Sequence, residues 1–295
     1  MTWALCAAFF AAYVVSILKE ITYVTLADGR KTERRIPFVF RLLLPFVPNL
    51  KSLVSGPSFA KSREAADRML RAGGMEGLLN GREFVALKIL VPLVCGMVWI
   101  LFLVLLSAIV PDSVFSDNIV LLSLLGILYF YMMPLMWLRH TMNRRHLEIM
   151  RALPFVLDLL TLSVEAGMDF MSAMQRNCER RKLDPLNEEL IRMTREIQVG
   201  TPRRIALKNM ADRVGQPDLK SVAYALIQAD ELGVSIGSIL RIQSDQLRSR
   251  RFDRAEKLAN EAPVKMLLPL LLFIFPAVFL ILLGPVVTQA ASGIF

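Results

Sequence analysis

A chain of 295 residues with 55% hydrophobic and 21% charged side chains fits neither an ordinary soluble domain nor a bundle lying wholly in lipid. The net charge of +9 would point to nucleic acid in a soluble protein, yet zinc-finger spacing and aromatic RNA-stacking motifs are both missing, so no nucleic-acid partner is expected. There is also no Gly-x-x-x-x-Gly-Lys-Ser/Thr phosphate loop, no Gly-x-Ser-x-Gly and no His-Glu-x-x-His, so the sequence offers no catalytic motif, no cofactor site and no means of hydrolysing nucleotide by the phosphate-loop route.

In chain order, the first element is an uncharged run over 1–18, near the length needed to cross a hydrocarbon core about 30 Å thick. It has no basic residues before its apolar stretch, so it reads as a retained anchor, not a cleaved signal peptide. Residues 19–83 follow as a juxtamembrane helical segment. Within it, "IPFVFRLLLPFVP" (residues 36–48) is too short to span and is expected either to lie on the headgroups or to lid a small helical layer. "SFAKSREAADRMLRA" (58–72) predicts a helix that stops at Gly73-Gly74.

Uncharged runs at 89–110 and 119–138 predict the second and third spans, joined by "PDSVFSDN", which has no Lys or Arg. Trp3, Trp137, Tyr129 and Tyr131 are rings of the kind that settle at membrane interfaces, whereas Trp99 falls too deep and is expected to pack. No ionisable residue lies in the body of any span, which argues against a transport path.

Residues 139–263 carry glycines at a fixed interval, Gly167, Gly200 and Gly233. Each follows a helical run and precedes, after one residue, Asp169, Pro202 or Ser235. Asp169 and Ser235 suit N-caps, and Thr201 suits a cap ahead of a first-turn proline. With breaks at Asp184-Pro185 and Gly215-Gln216-Pro217, the pattern predicts six helices over 151–166, 169–182, 185–199, 202–214, 217–232 and 235–262. The last meets Pro263 and then a fourth uncharged run at 266–287, so a nearly continuous helix is expected to join the bundle to the membrane. The fold class is therefore an all-α integral membrane protein with four transmembrane helices and a cytoplasmic six-helix bundle.

Charge sets the orientation. Residues 19–83 hold 12 Lys and Arg and residues 139–263 hold 21 of the chain's 35, while the loop between spans two and three and the C-terminal tail hold none. That bias places both large segments in the cytoplasm and both termini on the periplasmic or external side, with anionic lipids as natural counter-charge. Cys6, Cys95 and Cys178 are too scattered for a disulfide frame, and His140 and His146 are spaced poorly for a metal, so none is expected.

"LPFVLDLLTLSVEAGMDFMSAM", "ALIQADELGVSIGSILRIQSDQLRSRR" and "APVKMLLPLLLFIFPAVFLILLGP" resemble the F domain of the type II secretion and type IV pilus platform superfamily, and within it the TadC type of the tight adherence pilus proteins. The resemblance covers roughly the stretch 153–285. It implies a non-enzymatic bacterial inner-membrane platform, oligomeric and paired with a TadB-type protein, over which a cytoplasmic secretion ATPase drives pilin subunits into a fibre. Residues 19–83 are too short for the second domain copy that many such platforms carry, and a paired chain would supply it.

Candidate partner contacts are Glu165 and Glu231, each two residues before a repeat glycine, and the run Arg248, Arg250, Arg251, Arg254. The glutamates either touch a partner or sit solvated near helix ends; the arginines either dock an acidic ATPase surface or complement lipid headgroups. A transporter or channel subunit and a membrane-anchored signalling scaffold are the competing functions.

Overall fold

The computed structural model describes residues 23–25, 31–34, 36–47, 54, 56, 59–109, 118–291 and 293. The expected first span, 1–18, lies outside the described residues, as does most of the loop between spans two and three. The chain divides into two compact units, Met1–Leu240 and Arg241–Phe295.

The first unit opens with a correction to the all-helical expectation for residues 19–83. Strands β1 (Tyr23–Thr25) and β2 (Lys31–Glu33) pair antiparallel, with Val24 opposite Thr32. The β-branched Val24, Thr25 and Thr32 favour extended backbone. Helix α1 (Phe38–Leu43) then runs into a 3-10 turn (Leu44–Phe46). This segment does not simply lie on headgroups: Phe40 is fully buried, with its ring edge-on to Trp137 at 5.1 Å, and Val47 is buried as well. Of the two alternatives for this segment, the packed layer is the one seen on the inward face of residues 36–47. Phe38, Leu42 and Phe46 remain exposed on the other.

Helix α2 (Ala60–Ala72) buries Ala66 and Leu70, one turn apart. It stops where the sequence predicts: the Gly73 N–H donates to Met69 O, and the Met75 N–H reaches back to Leu70 O at 2.9 Å. Helix α3 (Gly81–Ile109) begins eight residues before the second apolar run because its start is capped from outside. The Gly81 N–H donates to the Asp67 carboxylate at 2.6 Å, and Glu83 accepts from the Asn80 N–H. A Cβ at Gly81 would lie 2.5 Å from that carboxylate, so the close approach of α2 requires glycine.

Helix α4 (Ile119–Glu165) is 47 residues long, fusing the third apolar run to the first bundle helix. Pro134 and Pro154 lie inside it without ending it. It packs along α3, where the Trp99 indole N–H donates to Leu122 O at 3.2 Å, the packing role expected of that ring. Trp137, expected at the interface, is packed against Phe40 instead.

The remaining helices follow the punctuation closely: α5 (Phe170–Arg180), α6 (Pro185–Gln198), α7 (Arg203–Val214), α8 (Pro217–Leu232) and α9 (Ile236–Pro269). Asp169 caps α5, accepting from the Met171 N–H at 2.9 Å, and Asp184 caps α6, accepting from the Asn187 N–H at 2.7 Å. Gln216 caps α8 through the Leu219 N–H. Thr201 does not cap: Pro202 itself stands at the N-cap of α7 with no side-chain bond, because its fixed φ already sets the turn. The three repeat glycines have φ of +89°, +101° and +66°, the left-handed geometry expected of them. Within the first unit α4, α5, α6, α7 and α8 pack in chain order around Leu153, Leu160, Leu186, Met193, Leu207 and Leu219, all buried.

Helix α9 starts in the first unit and continues through Pro263 to Pro269. A π turn (Leu270–Ile274) and α10 (Phe275–Ala291) follow. The proline at 276 has no N–H for the carbonyl four residues back, and the wide turn relieves that position. Among the described residues the second unit is thus a single helical run. Among the described residues three helical stretches, Gly81–Ile109, Ile119–Glu165 and Ile236–Pro285, are long and apolar enough to cross a membrane.

Candidate functional site

The chemically distinctive feature of the first unit is a buried charged joint. Arg145 projects from α4 at a position that is only 5% exposed and donates to two carboxylates, Glu188 at 2.8 Å and Glu189 at 2.9 Å. Those acids open α6, whose N-terminal dipole favours negative charge. Arg213 of α7 holds Glu189 from the other side and also Glu196, each at 2.8 Å. Arg34, just after the β-hairpin, completes the set by donating to Glu188 at 2.5 Å.

Three arginines thus face three glutamates, and net charge at the joint is zero. Arg145 Nε, Arg213 Nη2 and Arg34 Nε stay buried without a partner among the described residues. Balance therefore comes from the carboxylates, and the incomplete hydrogen bonding adds a desolvation cost that packing must offset. At the rim, Glu76 accepts from Arg192 and lies 3.6 Å from Arg71. Burial opposes the Arg192 charge, but Glu76, Glu189 and Glu196 raise its pKa further above the usual guanidinium value. His146, one residue beyond Arg145, bonds Val214 O through Nε2 at 2.8 Å.

The joint fastens four stretches that are remote in sequence: the segment after the hairpin, the α2 stop, the continuation of the third apolar run, and the α6–α7 hairpin. Gly74 sits directly against it. A Cβ there would come 2.2 Å from Arg145 Nη1. The arrangement pairs guanidinium with carboxylate throughout, and its chemistry is that of a clamp. Among the described residues no cluster of three or more His, Cys, Asp or Glu forms a metal-ligand set.

The residues singled out from sequence lie elsewhere. Glu165 is the last residue of α4, exposed, and its Cγ would touch a Cβ at Gly237 in the first turn of α9 at 3.8 Å. Glu231 accepts from Arg204 at 2.8 Å in solvent, and its neighbour Asp230 accepts at 3.1 Å from Arg203, which is half-buried over the Phe170 ring. These are surface pairs joining the starts and ends of α7 and α8. Arg248, Arg250, Arg251 and Arg254 lie on α9 within the second unit, all exposed, and spread over rather less than half the helix circumference.

Arg145 was detectable. Leu138, Ile149 and Leu153 lie on one buried stripe of α4, and Arg145 occupies the same stripe at seven, four and eight residues from them. A charge on an apolar stripe demands partners. Glu188-Glu189 gave no such signal, since acids near a helix N-terminus read as ordinary dipole complement.

Residues 156–284 match the family model described as type II secretion system (T2SS), protein F. No curated protein matches the chain, and no solved structure does. The match begins inside α4, covers α5 to α9 and ends in α10, less than half of the chain. It identifies a type II secretion F domain. That domain occurs in secretion and pilus assembly platform proteins, which are inner-membrane proteins and generally non-enzymatic.

Proposed function

We propose that the chain is a platform subunit of a Tad-type pilus assembly or secretion machine in the bacterial inner membrane. It acts without catalysis of its own, alongside a TadB-type partner. It couples a cytoplasmic secretion ATPase to the extraction of pilin from the bilayer. The observation that carries the reading is the F-domain match over 156–284, which falls on helices that the chain's own punctuation predicts.

Three features support it. The sequence has no phosphate loop, so energy would reach it from another protein. The basic bias of 19–83 and 139–263 puts the helical layer and the F domain on the cytoplasmic side, with both termini outside. Helix α9 carries the domain's last helix without interruption into the fourth apolar run, a connection through which rotation or displacement at the bundle would reach the membrane. Anionic lipids would balance Arg248, Arg250, Arg251 and Arg254 where the ATPase does not.

Brief crosslinking in the native membrane, followed by mild-detergent purification and mass spectrometry, tests the proposal. Recovery of a second F-domain protein and a secretion ATPase, the latter linked to residues 139–263, is the expected outcome. Recovery of transporter subunits or a signalling enzyme, with neither of those present, would overturn it.

A further inference from the structure

Between α4 and α5 runs an open groove of about 760 Å³ that no part of the charged joint uses. Its floor is apolar and wet: Phe155 is 59% exposed, Leu159 36% and Leu162 64%. These three stand at i, i+4 and i+7 on α4, one stripe about two turns long. Its opposite wall is cationic, with Arg176 and Arg180 one turn apart on α5 and Lys182 just beyond its end. None of the three makes an ion pair among the described residues. A neighbouring cation, Arg181, is committed to Asp184. No Asp or Glu lines the groove.

We propose that this groove docks an acidic amphipathic helix of a partner protein. Exposed leucine and phenylalanine in a row cost free energy until something covers them, and the cover must tolerate three unpaired cations along one edge. The backbone groups of α4 and α5 are spent within their helices, so the groove offers side chains only. That is the recognition surface for a helix laid in a cleft, not for an added strand. The fit requires apolar anchors at i, i+3 or i+4, and i+7, with Asp or Glu beside them.

Two other occupants are disfavoured by position and charge. The third apolar run ends at Leu138, and at about 1.5 Å per residue some 25 to 35 Å of helix separates it from Phe155 and Leu162, beyond the reach of headgroups. A basic helix would meet a wall of its own sign. The inference does not depend on which machine the chain serves.

The test places a photoreactive p-benzoylphenylalanine at Leu159 in the full-length chain in its own membrane and sequences the crosslinked peptide. The expected product is a peptide from a different chain with an apolar helical stripe flanked by acids. Its yield should fall about tenfold in the Arg176→Glu/Arg180→Glu background and recover when the partner's acids are reversed to Lys. Lys182→Glu, outside any helix, provides a second reversal if the double variant accumulates poorly. A lipid adduct, a peptide from this same chain, a peptide without acids, no adduct, or a yield indifferent to charge reversal would each overturn the proposal.

Discussion

Arg145 and Arg213 sit where water is nearly excluded, and each grips two carboxylates, whereas Arg250, Arg251 and Arg254 lie along α9 with their side chains in solvent. The residue type is the same in both regions, but the energetic consequence is not. Taking a guanidinium out of water costs several kcal/mol and is tolerated only where partners compensate, so each buried arginine is bound to a specific geometry. A solvated arginine keeps its hydration, contributes little to any one contact and acts through the field it adds to. One region therefore specifies how the chain folds, and the other adds its charge at the surface.

The largest effect should follow from breaking the buried side of that comparison. Arg145→Met leaves Glu188 and Glu189 short of a partner each and should destabilise the first unit by about 3 to 5 kcal/mol, read as a shifted denaturation midpoint in detergent. Adding Glu189→Gln should return part of that loss, because Arg34 and Arg213 then face Glu188 and Glu196 and the joint is neutral again. An unchanged midpoint for Arg145→Met alone would mean that the joint is hydrated. Gly74→Ala comes next. Its φ of +68° is unfavourable for a side chain, and the new Cβ meets a guanidinium that two carboxylates hold in place, so about 1 to 3 kcal/mol should be lost. Asp169→Ala and Asp184→Ala remove caps and should each cost about 1 kcal/mol, measurable by the same midpoint.

The limits of sequence reading follow the same division. From Glu165 to Ile236 helix ends were legible to within a few residues because glycine with positive φ, proline and capping aspartates act locally, on backbone groups two or three residues away, whereas the start expected at 151 does not exist, since α4 runs on from the third apolar run. The apolar runs 89–110, 119–138 and 266–287 were legible because lipid imposes a length. Residues 23–25 and 31–33 were read as helical because three-residue strands offer no periodicity to detect. The joint was missed because its partners come together only in the fold: Arg34 meets Glu188 across 154 positions and Arg145 meets it across 43. The groove was hidden for the same reason, since Phe155 and Arg180 belong to helices whose pairing no local pattern encodes.

The smallest stability effects are expected on the solvated side, and there the readout must change from stability to assembly. Arg204→Ala removes the exposed pair with Glu231 and should cost no more than about 0.5 kcal/mol, because both groups keep most of their water. Arg250→Glu with Arg251→Glu and Arg254→Glu should leave the denaturation midpoint where it was, since those side chains have little packing to lose. If the run docks an acidic motor surface, the triple reversal abolishes crosslinking to the ATPase and fibre output while the protein stays folded and in the membrane. If it only complements lipid, the ATPase still crosslinks, and what changes is affinity for anionic vesicles. An intact fold with lost assembly would place function on the solvated arginines and structure on the buried ones; a shifted midpoint in the triple variant would show that α9 has a structural partner along its charged stretch.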